Sequence, residues 1–221
     1  ARSANLKHKS SVVPEKNLID YINKVIQIQF EPFSSLRILS QNFLYETYSD
    51  ESKVILDGSG GDEIGAGYRY YIIPWYLDVI GLNLNNLNSR FKKTIGNHES
   101  LSTKDFILGS LANYLKPGMS TQDGSMFEKK GFLNEDFLKQ HESEEQIIKR
   151  PFKSHLRNAQ YIDFHYSKLP RSLRYTDRAS MRSSVEARLP LLDHEVVEQC
   201  FQIPSKFKFL FGQDRIILKD L

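Results

Sequence analysis

The spacing of hydrophobic positions predicts helices over most of this 221-residue chain. Apolar residues recur every three or four positions in residues 17–30, as on one face of an amphipathic helix. The same spacing over residues 35–48 predicts a second helix, with Ser35 as its N-cap. Further helices are predicted between Gly, Pro and Asn residues, at 101–115, 152–167, 169–184 and 193–202 and in a terminal piece from Gly212.

One segment departs from the helical period. Residues 53–57 form a short β-branched apolar run, Lys-Val-Ile-Leu-Asp, and a glycine-rich sequence follows at once. This pattern is typical of a buried parallel strand that ends in a tight turn. It is the one strand that the pattern predicts, and the backbone N–H and C=O groups of a parallel strand need neighbours. We therefore expect its partner strands to lie outside this sequence.

Composition excludes several classes of protein. With 40% hydrophobic and 26% charged residues, the chain suits one globular domain with a sizeable core. Its net charge of +3 makes a nucleic-acid-binding helical domain the weakest hypothesis. No apolar run approaches the roughly 20 residues that span a bilayer. The single cysteine, Cys200, lies in an apolar helical pattern, so we expect a buried structural thiol and a cytoplasmic protein.

Chemistry is first indicated by residues 54–68, Val-Ile-Leu-Asp-Gly-Ser-Gly-Gly-Asp-Glu-Ile-Gly-Ala-Gly-Tyr. Glycines after a strand let the main chain approach a ligand closely, and the N–H groups at a helix start attract anions. Asp62 and Glu63 can hold a divalent cation between the protein and a polyphosphate. The structural alternative is a glycine turn in which Asp62 only caps the next helix. The glycines alone favour that alternative, whereas the ordered set of strand, glycines and acidic pair favours a site.

A second candidate segment covers residues 169–193, Leu-Pro-Arg-Ser-Leu-Arg-Tyr-Thr-Asp-Arg-Ala-Ser-Met-Arg-Ser-Ser-Val-Glu-Ala-Arg-Leu-Pro-Leu-Leu-Asp. Its charged residues Asp177, Arg178, Glu186 and Arg188 lie among core-type residues. Such mixtures indicate hydrogen-bonded, partly buried ions that serve a site. The structural alternative is an ordinary helix with surface salt bridges, followed by a helix that Asp193 caps.

Together the two segments resemble the paired signatures of the synthetase domain of glutamine-hydrolysing asparagine synthases and their relatives, the β-lactam synthetases and lasso-peptide cyclases. The first resembles V-x-L-[ST]-G-x-G-x-D-E-x-F-x-G-Y, and the second matches D-R-x-S-M-x-x-x-x-E-x-R-x-P-[FL]-L-D almost completely. Gly212-Gln-Asp-Arg-Ile-Ile-Leu-Lys219 resembles a later G-x-x-K-x-x-L-R element. The resemblance implies a mostly helical α/β fold, in which residues 1–221 form the C-terminal part of an adenine-nucleotide α-hydrolase-like (PP-loop ATPase) synthetase domain, with one clear parallel-sheet strand and a helical remainder.

The resemblance also implies a role for particular residues. Asp57 and Gly58 touch the nucleotide ATP, and Asp62 binds Mg²⁺ that bridges its phosphates. The other residues of the nucleotide-binding turn are Ser59, Gly60 and Gly61.

For the reaction itself, the resemblance implies that Asp177 and Glu186 face the acyl substrate or the incoming amine. Arg215 falls where the family has a lysine that stabilises charge on the reacting phosphate. Such a site activates a carboxylate, aspartate or an analogue, as acyl-AMP with release of pyrophosphate. The acyl group then passes to ammonia or an amine, largely by positioning and electrostatics.

The chain departs from the family pattern at four positions. Ser59 replaces the acidic residue of asparagine-forming members, Asp57 a small hydroxyl residue, Gly65 a phenylalanine and Arg215 the lysine. Because serine is a poor base at neutral pH, Glu186 becomes the candidate for proton removal. Ser59 favours a related cyclase or sugar amidotransferase, and Ser59 with Arg215 favours a catalytically degenerate binding subunit.

Two family elements do not occur in these 221 residues, the S-G-G-x-D-S-S pyrophosphate loop and the N-terminal cysteine of a glutaminase domain. We therefore expect an upstream synthetase segment and a glutaminase domain or subunit as partners.

Overall fold

The computed structural model describes residues 7–31, 33, 35–79, 134–140 and 148–208. Contacts divide the chain into two compact units, which are the first unit (residues 1–57 and 172–188) and the second unit (residues 58–171 and 189–221). The helices predicted over 101–115 and from Gly212 lie outside the described residues, as does Arg215.

The described chain is mostly helical. In chain order its elements are α1 (Leu18–Gln29), α2 (Arg37–Tyr48), β1 (Val54–Leu56), α3 (Gly61–Gly65), α4 (Ile72–Val79), α5 (Glu135–Gln140), α6 (His155–His165), α7 (Lys168–Arg182), β2 (Glu186–Arg188) and α8 (His194–Gln202), with 3₁₀ turns at Arg69–Tyr71, Pro190–Leu192 and Ser205–Phe207. The helices predicted from periodicity at 17–30, 35–48, 152–167, 169–184 and 193–202 are confirmed with shifts of a few residues at their ends. No helix in the described ranges is long and apolar enough to cross a membrane.

The predicted cap holds at α8, and at α2 it is displaced by one residue. Asp193 caps α8, since its carboxylate accepts a hydrogen bond from the Glu195 N–H at 3.0 Å. The N-cap position of α2 is Leu36, one residue after the predicted Ser35. Ser35 still supplies a capping contact, since its Oγ accepts from the Arg37 N–H at 3.3 Å and its carbonyl accepts from the Ile38 N–H at 3.2 Å in a tight first turn.

Two strands form a parallel sheet in the first unit. Residues 54–56 of β1 pair with residues 186–188 of β2, with Ile55 opposite Ala187. The predicted parallel strand at residues 53–57 is confirmed as β1, whereas the expectation that it is the one strand, with all its partners outside this sequence, is wrong. β1 is also less buried than predicted, since Leu56 is 71% exposed. Glu-Ala-Arg lacks a β-branched apolar run, but Ala187 packs with Ile55 on the buried side chain of Tyr45. Packing on this cluster is what makes residues 186–188 a strand, because the preference of a residue for a strand depends on the side chains that it can pack against.

Each unit buries its own apolar residues. In the first unit Val25 of α1 packs against Ile38 and Leu39 of α2, and all three are at most 5% exposed. In the second unit Tyr71 and Leu156, both fully buried, join α6 to the 3₁₀ turn before α4. Cys200 is buried and free, as predicted, and burial raises the pKa of its thiol.

Partly buried polar contacts hold α4 and α6 together in the second unit. The Asp78 carboxylate of α4 accepts from the main-chain N–H groups of His155 and Leu156, at 2.6 and 3.1 Å. It also accepts from the hydroxyl of Ser154, the N-cap of α6, at 2.5 Å. The carboxylate thereby satisfies N–H groups at the start of α6 that have no partner within the helix.

Candidate functional site

Asp57 follows β1 and is held by both its main chain and its side chain. Its N–H donates to the Arg188 carbonyl at 2.8 Å, which extends the ladder to β2. Its Oδ2 accepts from the Tyr45 hydroxyl at 3.2 Å. Tyr45 is 1% exposed, and burial, together with the negative charge of Asp57, raises the pKa of its hydroxyl. The hydroxyl therefore keeps its proton and orients the Asp57 carboxylate.

The glycine turn combines a closed position with an open one. Gly60 has φ +92°, and a Cβ atom added there would lie 2.2 Å from Cδ2 of Leu192. Residue 60 must be glycine because both the left-handed φ and the contact with Leu192 exclude a side chain. A Cβ added to Gly58 meets nothing within 4 Å, so the main chain at Gly58 has open space beside it.

Asp62 does not cap the helix that follows the turn. The N-cap of α3 is Gly60, and Asp62 lies half-buried in the first turn. The alternative in which Asp62 serves only as a helix cap is therefore wrong. At the other end of α3, the Asp62 carbonyl accepts from the Gly67 N–H at 2.8 Å. Since α3 has five residues, its dipole alone supplies no anion site.

Glu63 faces the protein interior. It is 3% exposed, and its Oε1 accepts from the Tyr68 hydroxyl at 2.7 Å. Burial raises the pKa of Glu63, and the Tyr68 hydrogen bond opposes this shift. The sequence pattern grouped Asp62 with Glu63 as cation ligands, whereas the structure commits Glu63 to an internal contact. Asp62 is left as the candidate metal ligand of the pair. In the described ranges, no group of three or more His, Cys, Asp or Glu residues could hold a metal ion.

Three of the four charged residues of the second motif are more exposed than the sequence suggested. The fourth, Arg178, is the half-buried, hydrogen-bonded ion that the pattern predicted, since it donates to the Gln29 carbonyl and pairs with Glu31 at 3.1 Å.

Asp177 is exposed on the part of α7 in the first unit, where Thr176, Ala179 and Ser180 are buried. Glu186 is also exposed and pairs with Arg188, with 2.8 Å between Oε1 and Nε. This pairing lowers the pKa of Glu186. The prediction of partly buried ions is wrong for Asp177 and Glu186. On α7 the buried positions follow the helical period and leave Asp177 exposed, and on β2 the central Ala187 is the position that packs on the core.

Glu186 and Asp57 lie at opposite ends of the two-stranded sheet. Glu186 opens β2 opposite Val54, whereas Asp57 follows the carboxyl end of β1. With a rise of about 3.3 Å per residue, their main chains are roughly 10 Å apart along the sheet. The structure therefore does not bring these two predicted site residues side by side.

The glycine turn itself stays together in the second unit, where Gly58, half-buried Ser59, Gly60, Gly61 and Asp62 are consecutive.

Sequence reasoning missed the residues that support the turn and the strand end. Tyr45 holds Asp57, and Leu192 packs against Gly60. Leu192 belongs to the second motif, which was the available signal, whereas Tyr45 stands in an ordinary amphipathic helix and carries none.

The structure and its candidate site thus define a mostly helical α/β protein with a glycine turn and an acidic residue after a parallel strand. The family model for asparagine synthase matches residues 1–221, the whole chain, and the chain belongs to the asparagine synthase family. Comparison with curated proteins and with solved structures gives no match. At the level of the family, this membership indicates a ligase of asparagine biosynthesis and ATP-dependent amidation, and members of the family generally use ATP with magnesium.

Proposed function

We propose that this chain is the C-terminal part of a synthetase domain that forms an amide through an acyl-adenylate. A carboxylate oxygen of the substrate attacks the α-phosphorus of ATP, and pyrophosphate leaves. A nitrogen nucleophile then attacks the acyl carbon and loses a proton, and AMP leaves with the bonding electron pair. The substrate carboxylate is aspartate or an analogue, and the nitrogen comes from ammonia or an amine.

The observation that supports this proposal most is the contact of Gly60 with Leu192. Gly60 belongs to the first motif and Leu192 to the second, and the two are far apart in the sequence. Their contact in the second unit shows that the two motifs meet in the folded protein, as expected if they form one site. Separately, the main chain at Gly58 has open space beside it, in which the proposed ligand lies.

In this proposal, the residues of the glycine turn bind the nucleotide. Asp57 and Gly58 touch ATP, and the main chain of residues 59–61 lies along it. Asp62 fits a magnesium ligand, since it is half-buried directly after the glycines, while Glu63 is committed to Tyr68. Magnesium is commonly held by one or two carboxylates together with substrate phosphates and water. When bound, the ion neutralises phosphate charge.

Asp177 and Glu186 face the acyl substrate or the amine in this proposal, and Arg215 stabilises charge on the reacting phosphate. The carboxylate of Glu186 is a weak base while it is paired with Arg188, because this partner lowers its pKa. Proton removal by Glu186 therefore requires that the ion pair open as the amine binds.

The proposal includes a PP-loop ATPase fold for the complete domain and two partners. Strands β1 and β2 have three residues each, and the S-G-G-x-D-S-S loop is not among the 221 residues. An upstream synthetase segment would supply the loop and complete the sheet. A glutaminase domain or subunit would supply ammonia, and the proposed location is the cytoplasm.

The proposal is tested by Asp62→Asn in the full-length protein, assayed by carboxylate-dependent exchange of pyrophosphate into ATP. We expect exchange to fall by at least about tenfold, since even the outer-shell partners of a metal site contribute 10- to 100-fold. Asp136→Asn is the matched control, because Asp136 is exposed on α5. Exchange at the parent rate in Asp62→Asn would remove Asp62 from the site.

A catalytically degenerate binding subunit is the second candidate function. The ion pair of Glu186 with Arg188, together with serine at position 59, favours it, because neither arrangement supplies a ready base. A full-length protein that binds ATP but catalyses no pyrophosphate exchange would support this candidate. A cyclase or sugar amidotransferase of the same family would instead show exchange with a different acyl substrate.

A further inference from the structure

Gln160 joins α6 to the end of α3 in the second unit. Its side-chain Nε2 donates to the carbonyl oxygens of Glu63 and Ile64, at 2.6 and 2.9 Å. These carbonyls lie in the last turn of α3, where main-chain acceptors have no partner within the helix. Gln160 is fully buried, so it fixes the main chain directly after Asp62.

Lys208 fixes the orientation of the Gln160 amide. Its Nζ donates to Oε1 of Gln160 at 2.7 Å, and the lysine is 2% exposed. Because the amide oxygen accepts from Lys208, the amide nitrogen is the atom that faces α3. Reversal of the amide would direct an oxygen at two carbonyl oxygens and an NH₂ group at an ammonium, so the contact with Lys208 selects one of the two orientations.

Burial of the charged Lys208 side chain is unfavourable, because the ammonium loses its hydration. Burial lowers the pKa of Lys208 to about 8, since the charged form is poorly solvated there. Arg157 of α6 lowers it further, whereas Cys200 of α8 would raise it only in its deprotonated, thiolate form. The ammonium also lies 5.5 Å from the centre of the Phe201 ring. Lys208 is thus a buried ionisable group in contact with Gln160, which holds the main chain next to the candidate site. Such groups are common at functional sites.

We propose that Lys208 is a positioning residue for Asp62, acting through Gln160 to hold the main chain of α3. The effect on catalysis rests on the function proposed above, whereas the effect on the main chain does not. Lys208 reaches α3 through the Gln160 amide, so its action on Asp62 is indirect. Its charge strengthens the hydrogen bond to Gln160, since charge-assisted hydrogen bonds are roughly twice as strong as neutral ones.

The first test measures native-state hydrogen exchange at the amides of Ile64 and Gly67, which donate within the turn. In Lys208→Met we expect both amides to exchange about tenfold faster, as for loss of one hydrogen bond from a charged group. The amide of Leu39 in the first unit should not change. Lys208→Arg should restore much of the protection. Lys206→Met is the control, because Lys206 is exposed within the 3₁₀ turn Ser205–Phe207, which Lys208 directly follows.

The pH profile of exchange separates this role from a merely structural one. After correction for intrinsic exchange, protection of Ile64 and Gly67 in the parent protein should fall as pH rises through about 8, where Lys208 loses its proton. Arg157 stays charged over this range. Burial raises the pKa of Cys200, so its thiol stays protonated at pH 8. Lys208→Arg should show no such fall.

In the full-length protein, Lys208→Met should raise the KM for Mg·ATP in pyrophosphate exchange more than it lowers kcat.

Three results would overturn the proposal: parent-like protection in Lys208→Met, an equal loss of protection at Ile64, Gly67 and Leu39, or a flat pH profile in the parent. Should Lys208→Met fail to fold, the pH profile of protection in the parent protein, compared with that of Lys208→Arg, still tests the proposal. If the parent lacks pyrophosphate exchange, the proposed function fails while the exchange of Ile64 and Gly67 still tests the role of Lys208.

Discussion

Gly60 and Leu192 are in contact, and a Cβ atom on residue 60 would lie 2.2 Å from Cδ2 of Leu192. The φ of Gly60 is +92°, which L side chains rarely adopt. Two independent causes therefore require glycine at this position. The open neighbour Gly58 provides a comparison within the same turn.

We expect Gly60→Ala to lower the free energy of unfolding by about 2 kcal/mol, because overpacking and a left-handed φ both oppose the new methyl group. Gly58→Ala, with nothing within 4 Å of its Cβ, should change it much less. In a Leu192→Ala background the same Gly60→Ala change should cost less, because only the effect of the left-handed φ remains. Urea unfolding of the parent, the three single variants and the double variant measures these differences, and equal losses for the two glycine variants would contradict the explanation.

Tyr45→Phe should release the Asp57 carboxylate from the core of the first unit. The hydroxyl donates to Oδ2 of Asp57 at 3.2 Å, and a hydrogen bond to a half-exposed charged group is worth about 1 kcal/mol. We therefore expect a loss of that size in the free energy of unfolding and, under the proposed function, a higher KM for ATP. Tyr48→Phe on the same helix is the control, since Phe retains the ring contact with Lys9. Parent values in both measurements would show that Tyr45 does not orient Asp57.

Asp163→Asn should change the pH dependence of stability. Asp163 is 7% exposed and accepts from the hydroxyls of Tyr70 and Ser167, and burial raises its pKa. The folded state therefore binds the carboxyl proton more tightly than the unfolded state does. The resulting stabilisation is complete below the unfolded pKa, near 4, and is lost as pH rises through the folded pKa.

The parent should consequently lose stability relative to Asp163→Asn as pH rises from about 4. Urea unfolding at several pH values between about 4 and 7 gives the difference between the two proteins at each pH. The pKa of Glu63 is raised in the same direction, in part by the charge of Asp163, so its contribution cancels only in part and adds to the difference. Asp136→Asn, at an exposed position, should keep a constant difference from the parent. A difference between parent and Asp163→Asn that does not vary with pH would contradict the raised pKa.

The sequence by itself determined the family, the described long helices and the place of the glycine turn. Helices such as α1 and α8 follow from contacts that recur every three or four residues, which a short window of sequence contains. Family membership follows from motifs in which residue type and order carry the information. The capping of α8 by Asp193 is equally local, because the carboxylate bonds a main-chain N–H two residues away.

Only the tertiary structure decided how distant residues meet. Strand β2 forms because Ala187 pairs with Ile55 and packs against Tyr45, although Glu-Ala-Arg has no strand pattern of its own. Glu63 is buried while Asp62 beside it is half-buried, and Lys208 is buried against Gln160 although lysine is ordinarily a surface residue. These outcomes depend on contacts between residues far apart in the chain, whose energies no local period encodes.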